Sequence, residues 1–201
     1  MSGNTYSEAI DYGCRANGPI VFGDYISLKH NMTGRYLSSV ADSFYEYGSG
    51  QQKVFAGGWE STEETIFIVN PPTGTEIEGG TEVNFGDTIR LRHLVTRANL
   101  HSHSGIESPV TKQQEVTCYG DDDTSDANDE WIVEQWTFDE NENEDFELED
   151  PTWYTGRSFF LRHKETGLTL HSHDEHLTGE QNEVTCYGNG PEENDRWRVV
   201  F

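Results

Sequence analysis

Apolar and polar residues alternate at three points along the chain: Ile26, Leu28 and His30; Ile89, Leu91 and His93; Phe159, Leu161 and His163. A period of two, carried by β-branched and aromatic residues, describes a strand with one face in a core. A short segment rich in Gly, Asn and Thr follows each run (HNMTGR, HLVTRA, HKETGL) and reads as a hairpin turn. A second strand carrying LSS or LHSH comes next, then a loop, a Val-centred strand, and a last strand led by Ile66, Trp131 or Trp197. The pattern predicts roughly four short strands per unit, about twelve in all, and no amphipathic helix.

The units are copies of one another. GDTIRLRHLVTRANLHSH from Gly86, QQEVTCYG from Gln113 and NDEWIVE from Asn128 return as GRSFFLRHKETGLTLHSH from Gly156, QNEVTCYG from Gln181 and NDRWRVV from Asn194. A diverged copy, GDYISLKHNMTGRYLSSV with QQKVFAGG, starts at Gly23, and in it Ser38 and Val40 replace the paired histidines. Three four-stranded units predict an all-β fold, a β-trefoil, in which six strands close a barrel and three hairpins cap it. A three-repeat solenoid would leave open edges, and an immunoglobulin-like sandwich gives no reason for threefold repetition. The expected layout is an N-terminal arm over 1–22 and one trefoil over 23–201. Its repeats fall at 23–70, 86–136 and 156–201, with an acidic connector at 137–155.

A chain of 201 residues buries roughly 70% of its unfolded surface and needs no disulfide framework. Cys118 and Cys186 occupy equivalent positions and read as small buried residues, while Cys14 stands alone near the N-terminus. The net charge of −24, with four lysines among thirteen cationic residues, excludes nucleic acid and anionic membranes as main partners. It fits either simple solubility or a salt-adapted chain whose self-repulsion is screened by added salt. No apolar run reaches the roughly 20 residues that span a bilayer, so no direct membrane insertion is expected. The first eighteen residues lack the basic start and apolar stretch of a signal peptide. The chain as written therefore implies the cytoplasm, unless it is a piece of a longer protein.

The repeated Leu-His-Ser-His segments hold the candidate chemistry. Residues two apart in a strand share a face, so with Leu100 and Leu170 inward, His101 with His103 and His171 with His173 project to the opposite side. Ser102 and Ser172 point inward. A same-face pair can ligate zinc, bind a polar ligand or fix a neighbouring loop. Zinc lacks a spaced third and fourth ligand, and the DDDTSDANDE loop from Asp121 lacks the glycine and closing glutamate of a calcium-binding EF-hand. No metal or cofactor is therefore assigned. His30, His93 and His163 alternate with core residues in all three repeats and read as satisfied, buried histidines. Neither a nucleophile–base order nor a phosphate loop is present, so no catalytic residue is assigned and the chain is not expected to be an enzyme.

LRHLVTRANLHSHSGIESPVTKQQEVTCYG, followed by Asp126-x-Asn128-x-x-Trp131, resembles the MIR domain family. This is the β-trefoil module of protein O-mannosyltransferases and stromal cell-derived factor 2-like proteins. The likeness is strong over repeats two and three and weaker over repeat one. It implies a non-catalytic module of the endoplasmic reticulum lumen that binds a glycan or glycopeptide, or else a protein partner in a chaperone, glycosyltransferase or receptor assembly. Carried over by position, the ligand-binding candidates are His101, Ser102, His103, Gln113, Gln114 and Asn128, with His171, Ser172, His173, Gln181 and Asn194. Tyr119 and Tyr187 are added as aromatic platforms of the kind sugar sites use. Repeat one lacks the histidines, which leaves at most two competent faces.

Overall fold

The structure is a computed structural model and describes residues 17–137 and 150–200; Cys14 and most of the acidic connector lie outside them. Twelve strands form: β1 (Tyr25–His30), β2 (Tyr36–Phe44), β3 (Gln52–Gly57), β4 (Ile66–Asn70), β5 (Thr88–His93), β6 (Asn99–Glu107), β7 (Gln114–Tyr119), β8 (Trp131–Gln135), β9 (Ser158–His163), β10 (Thr169–Thr178), β11 (Gln181–Tyr187) and β12 (Trp197–Val200). One 3-10 turn precedes the last strand of each repeat: Glu63–Thr65, Ala127–Asp129 and Glu193–Asp195.

The pairings close into a barrel. β1 pairs with β4 and β12, β5 with β4 and β8, and β9 with β8 and β12. The hairpins β2–β3, β6–β7 and β10–β11 cap it, and their second strands also pair with one another, β3 with β7, β7 with β11 and β11 with β3. This is the β-trefoil expected from the repeats. At the barrel end away from the hairpins the chain makes a three-way ring: Ile20 N–H donates to the Trp153 carbonyl (2.8 Å), Trp153 N–H to Val83 (2.9 Å), and Val83 N–H to Ile20 (2.9 Å). Residues 20–22 and 151–154, placed outside the repeats by sequence, thus pack as the opening segments of repeats one and three.

The core is layered by repeat. Leu28, Leu91 and Leu161, then Leu37, Leu100 and Leu170, then Val54, Val116 and Val184 are all fully buried. His30, His93 and His163 are buried too. In each, Nε2–H donates to a carbonyl of the 3-10 turn of the preceding repeat (Asn194, Glu64 and Asn128, at 2.9, 3.0 and 2.9 Å). Nδ1 accepts from Thr33, Thr96 or Thr166 at 2.9 Å. Burial disfavours the charged ring, lowering the pKa of all three, His30 to about 4. Cys118 and Cys186 are free and buried, and burial pushes both thiols up to about 12.

Candidate functional site on the outward hairpin faces

In the β6–β7 hairpin, Leu100 lies opposite Cys118 and His101 opposite Thr117. Leu100, Ser102, Val116 and Cys118 therefore face the barrel, and His101, His103, Glu115, Thr117 and Tyr119 face away from it. The away-facing side is only partly solvent. His101 and His171 are buried on that side, where, of the uses open to a same-face pair, they hold a neighbouring loop. The covering element is the 3-10 turn ahead of β8 or β12. Asp129, itself buried, accepts from His101 Nδ1–H at 2.8 Å, and Asp195 accepts from His171 Nδ1–H at 2.7 Å. The second oxygen of Asp129 accepts from the Ser125 hydroxyl (2.7 Å) and the Asp126 N–H (3.0 Å). A buried carboxylate held by this many donors is a fixed anchor, and it fixes the ring it holds.

Each anchored histidine backs an exposed tyrosine. The Tyr119 ring lies 5.0 Å from His101 and the Tyr187 ring 5.3 Å from His171, centroid to centroid. Both tyrosines are well exposed, at 38% and 44%. His103 and His173 follow on the same face, half-buried, 5.4 and 5.5 Å from their partners. Beside Tyr119 runs a groove of about 210 Å³ lined by Phe44, Gln51, Thr96 and Tyr119. Phe44, half exposed, belongs to repeat one and was missed from the sequence.

The remaining candidates lie in the framework. Ser102 and Ser172 donate to the carbonyls of Glu115 (2.7 Å) and Glu183 (3.0 Å), and Ser39 of repeat one does the same to Lys53 (2.7 Å). Gln114 donates to Ser102 and Thr166, and Gln113 accepts from Thr185, so both glutamines tie repeat two to repeat three. Asn128 and Asn194 contribute the carbonyls that hold His163 and His30. Gln181 is half-buried where β10 turns into β11. The neighbours of Asn128 and Asn194, Asp129 and Asp195, are the residues that anchor the histidines. The signal was present, because repeat one, which lacks the histidines, carries Thr65 at that position.

One group among the described residues brings three metal-type side chains within 4.8 Å: His101, Asp126 and Asp129. Hydrogen bonds account for it, since Asp129 holds His101 and caps the 3-10 turn, while Asp126 accepts from the Asn128 N–H at 2.8 Å. In the acidic loop, Asp122 pairs with Arg92 and Arg97, and Asp121 accepts from the N–H groups of Asp123 and Thr124. These carboxylates hold the loop itself.

Residues 60–197 fit the model of the MIR domain. The chain belongs to the MIR domain family. A stromal cell-derived factor 2-like protein of Arabidopsis thaliana is 36% identical over 186 residues, which cover 91% of this chain and 79% of that one. The crystal structure of the SDF2-like protein from Arabidopsis thaliana superimposes with a TM-score of 0.81, covering 91% of this chain and 95% of that chain. A yeast dolichyl-phosphate-mannose–protein mannosyltransferase, from Saccharomyces cerevisiae, is 32% identical over 88% of this MIR chain, which spans 22% of the enzyme's length. The MIR domain described here thus corresponds to nearly a whole protein in one relative and to a module of a larger enzyme in the other. Among the described residues no helix is long and apolar enough to cross a membrane.

Proposed function

We propose that this MIR domain is a binding module for carbohydrate or glycosylated polypeptide, and that the outward faces of repeats two and three carry the contacts. The observation behind this is the exposed Tyr119 ring, held from beneath by His101 and Asp129 and bordered by a groove that adds Phe44 and the polar groups of Gln51 and Thr96. A rigid aromatic face with hydrogen-bonding groups at its rim suits a sugar ring, whose C–H face stacks while its hydroxyls bond at the edge. Tyr187, backed by His171, forms the second such face. We assign no catalytic step to the chain; in the mannosyltransferase relative the MIR module is a minor part of the enzyme.

Glycan-array binding tests the proposal. Tyr119→Ala combined with Tyr187→Ala should lower binding of mannose-containing glycans by about tenfold or more while changing stability little, as expected for exposed side chains. Binding by the wild type no better than by the double variant would remove the proposal. A protein partner is the second reading, favoured by the exposure of Tyr47 and Trp59 at 81% and 63%. A partner recovered equally well after deglycosylation would decide for it.

A further inference from the structure

Glu115 and Glu183 are equivalent residues at the centre of the hairpin cap, and repeat one has Lys53 in their place. Each glutamate is met by the hairpin loop of the preceding repeat. Ser49 N–H donates to Glu115 (3.2 Å), and the Val110 N–H, Thr111 N–H and Thr111 hydroxyl donate to Glu183 (2.9, 2.9 and 2.6 Å). Gly48 permits the first approach, since a Cβ there would lie 2.5 Å from a Glu115 oxygen. At the third position the same arrangement fails chemically. A lysine ammonium is a donor, backbone N–H groups are donors, and the two cannot satisfy each other.

The structure opens a cavity there. Its volume is about 320 Å³, and residues from all three hairpin ends line it, among them Glu46, Tyr47, Lys53, Glu107, Lys112 and Leu177. The volume lies within the range of roughly 300–1,000 Å³ typical of small-ligand pockets. Two of the chain's four lysines meet at this one place, in a protein of net charge −24. Neither has a carboxylate within ion-pair distance among the described residues; Lys112 donates to the Pro109 carbonyl at 3.0 Å. Lys112 is held with φ at +63°, a left-handed conformation that a lysine rarely adopts.

We propose that this cavity binds a singly charged, carboxylate-bearing sugar, with Lys53 as the anion contact. Lys53 supplies the positive contact, and the Glu46 and Glu107 carboxylates on the same lining repel further negative charge, so the site disfavours a dianion such as a phosphate monoester. Tyr47 supplies an aromatic face, and the two glutamates accept from sugar hydroxyls. The sugar part of the assignment rests on the carbohydrate reading above; the anion part rests on Lys53 alone.

Titration of the whole chain with glucuronic acid, glucose and acetate, followed by NMR, tests it. Glucuronate should shift the resonances of Lys53 and Tyr47 and bind about tenfold tighter than either glucose or acetate. Lys53→Glu installs the residue the other repeats already carry, so it should fold and lose glucuronate binding by about tenfold or more. Lys112→Asn, which tolerates the left-handed backbone, should weaken it less. Equal binding of glucose and glucuronate, acetate binding as well as glucuronate, no shift at tens of millimolar glucuronate, or an unaffected Lys53→Glu variant would each overturn the proposal. If neutral glycans still bind in a Tyr119-dependent way, only this inference falls. If they too fail to bind, the carbohydrate reading falls with it.

Discussion

Repeats one and two share a backbone plan and differ on the outward hairpin face. Repeat two holds Asp129, His101 and Tyr119 in a line, with the Trp131 indole N–H donating to the Leu100 carbonyl at 2.9 Å. Repeat one has Thr65, Ser38, Gly57 and Phe67 at the same four places; Phe67, not Ile66 as the sequence pattern suggests, lies opposite His93 as Trp131 lies opposite His163 and Trp197 opposite His30. Thr65 bonds within its own turn and to Ser27, and Ser38 donates back to the Tyr36 carbonyl. Repeat three keeps all four members, with Asp195, His171, Tyr187 and Trp197. The aspartate, histidine and tyrosine are present together or absent together, as expected where a buried aspartate and histidine satisfy each other. An aspartate without its histidine, or the reverse, leaves a buried polar group unpaired, whereas replacing both is tolerable.

The comparison breaks most severely at the tryptophan. Trp131→Ala removes the buried ring that repeat one keeps as Phe67 and orphans the Leu100 carbonyl; urea denaturation should show a loss of about 4 kcal/mol. Next comes the aspartate, because Asp129→Thr alone strands buried His101 and should cost about 3 kcal/mol. The triple transplant His101→Ser, Tyr119→Gly, Asp129→Thr should then cost at least about 1 kcal/mol less than its three single changes added together. Strict additivity would mean that the line is three independent residues. A smaller effect separates the shared framework from the variable face. His30 titrates near 4 when folded and near 6.5 when unfolded, so between those values the unfolded chain holds the extra proton. Its stabilising effect is complete above 6.5 and fades as pH falls toward 4, amounting to a loss of about 2 kcal/mol by about pH 5. The difference in denaturation midpoint between wild type and His30→Gln should shrink over that window.

Much of the framework was legible in the sequence because alternation and repetition report directly on which residues face a core. The leucine and valine layers, the buried His30, His93 and His163, and the inert Cys118 and Cys186 all follow from period two and register. Burial of His101 and His171 did not. Period two says that they face away from Leu100 and Leu170, but not what lies over that side, and the cover comes from Asp129 and Asp195, more than twenty residues downstream. Phe44 was missed for a related reason: it borders Tyr119 only because the trefoil brings repeat one's hairpin against repeat two. The opening segments of the repeats, at Ile20, Val83 and Trp153, share a hydrogen-bonding geometry but almost no side-chain pattern.

The seam between β1 and β12 has a bearing on how the protein is made. Ser27 through His30 pair with Val200 through Trp197, so the first strand of the trefoil is completed by its last. The ring at the barrel base likewise joins distant parts of the chain, because Ile20 donates to Trp153. Through most of translation Ile26 and Leu28 lack their final cover. Closing a loop this long is slow, since chain entropy opposes it until the far contacts form. Until then the nascent chain carries an incomplete barrel with an open strand edge, which gives a folding helper something to hold.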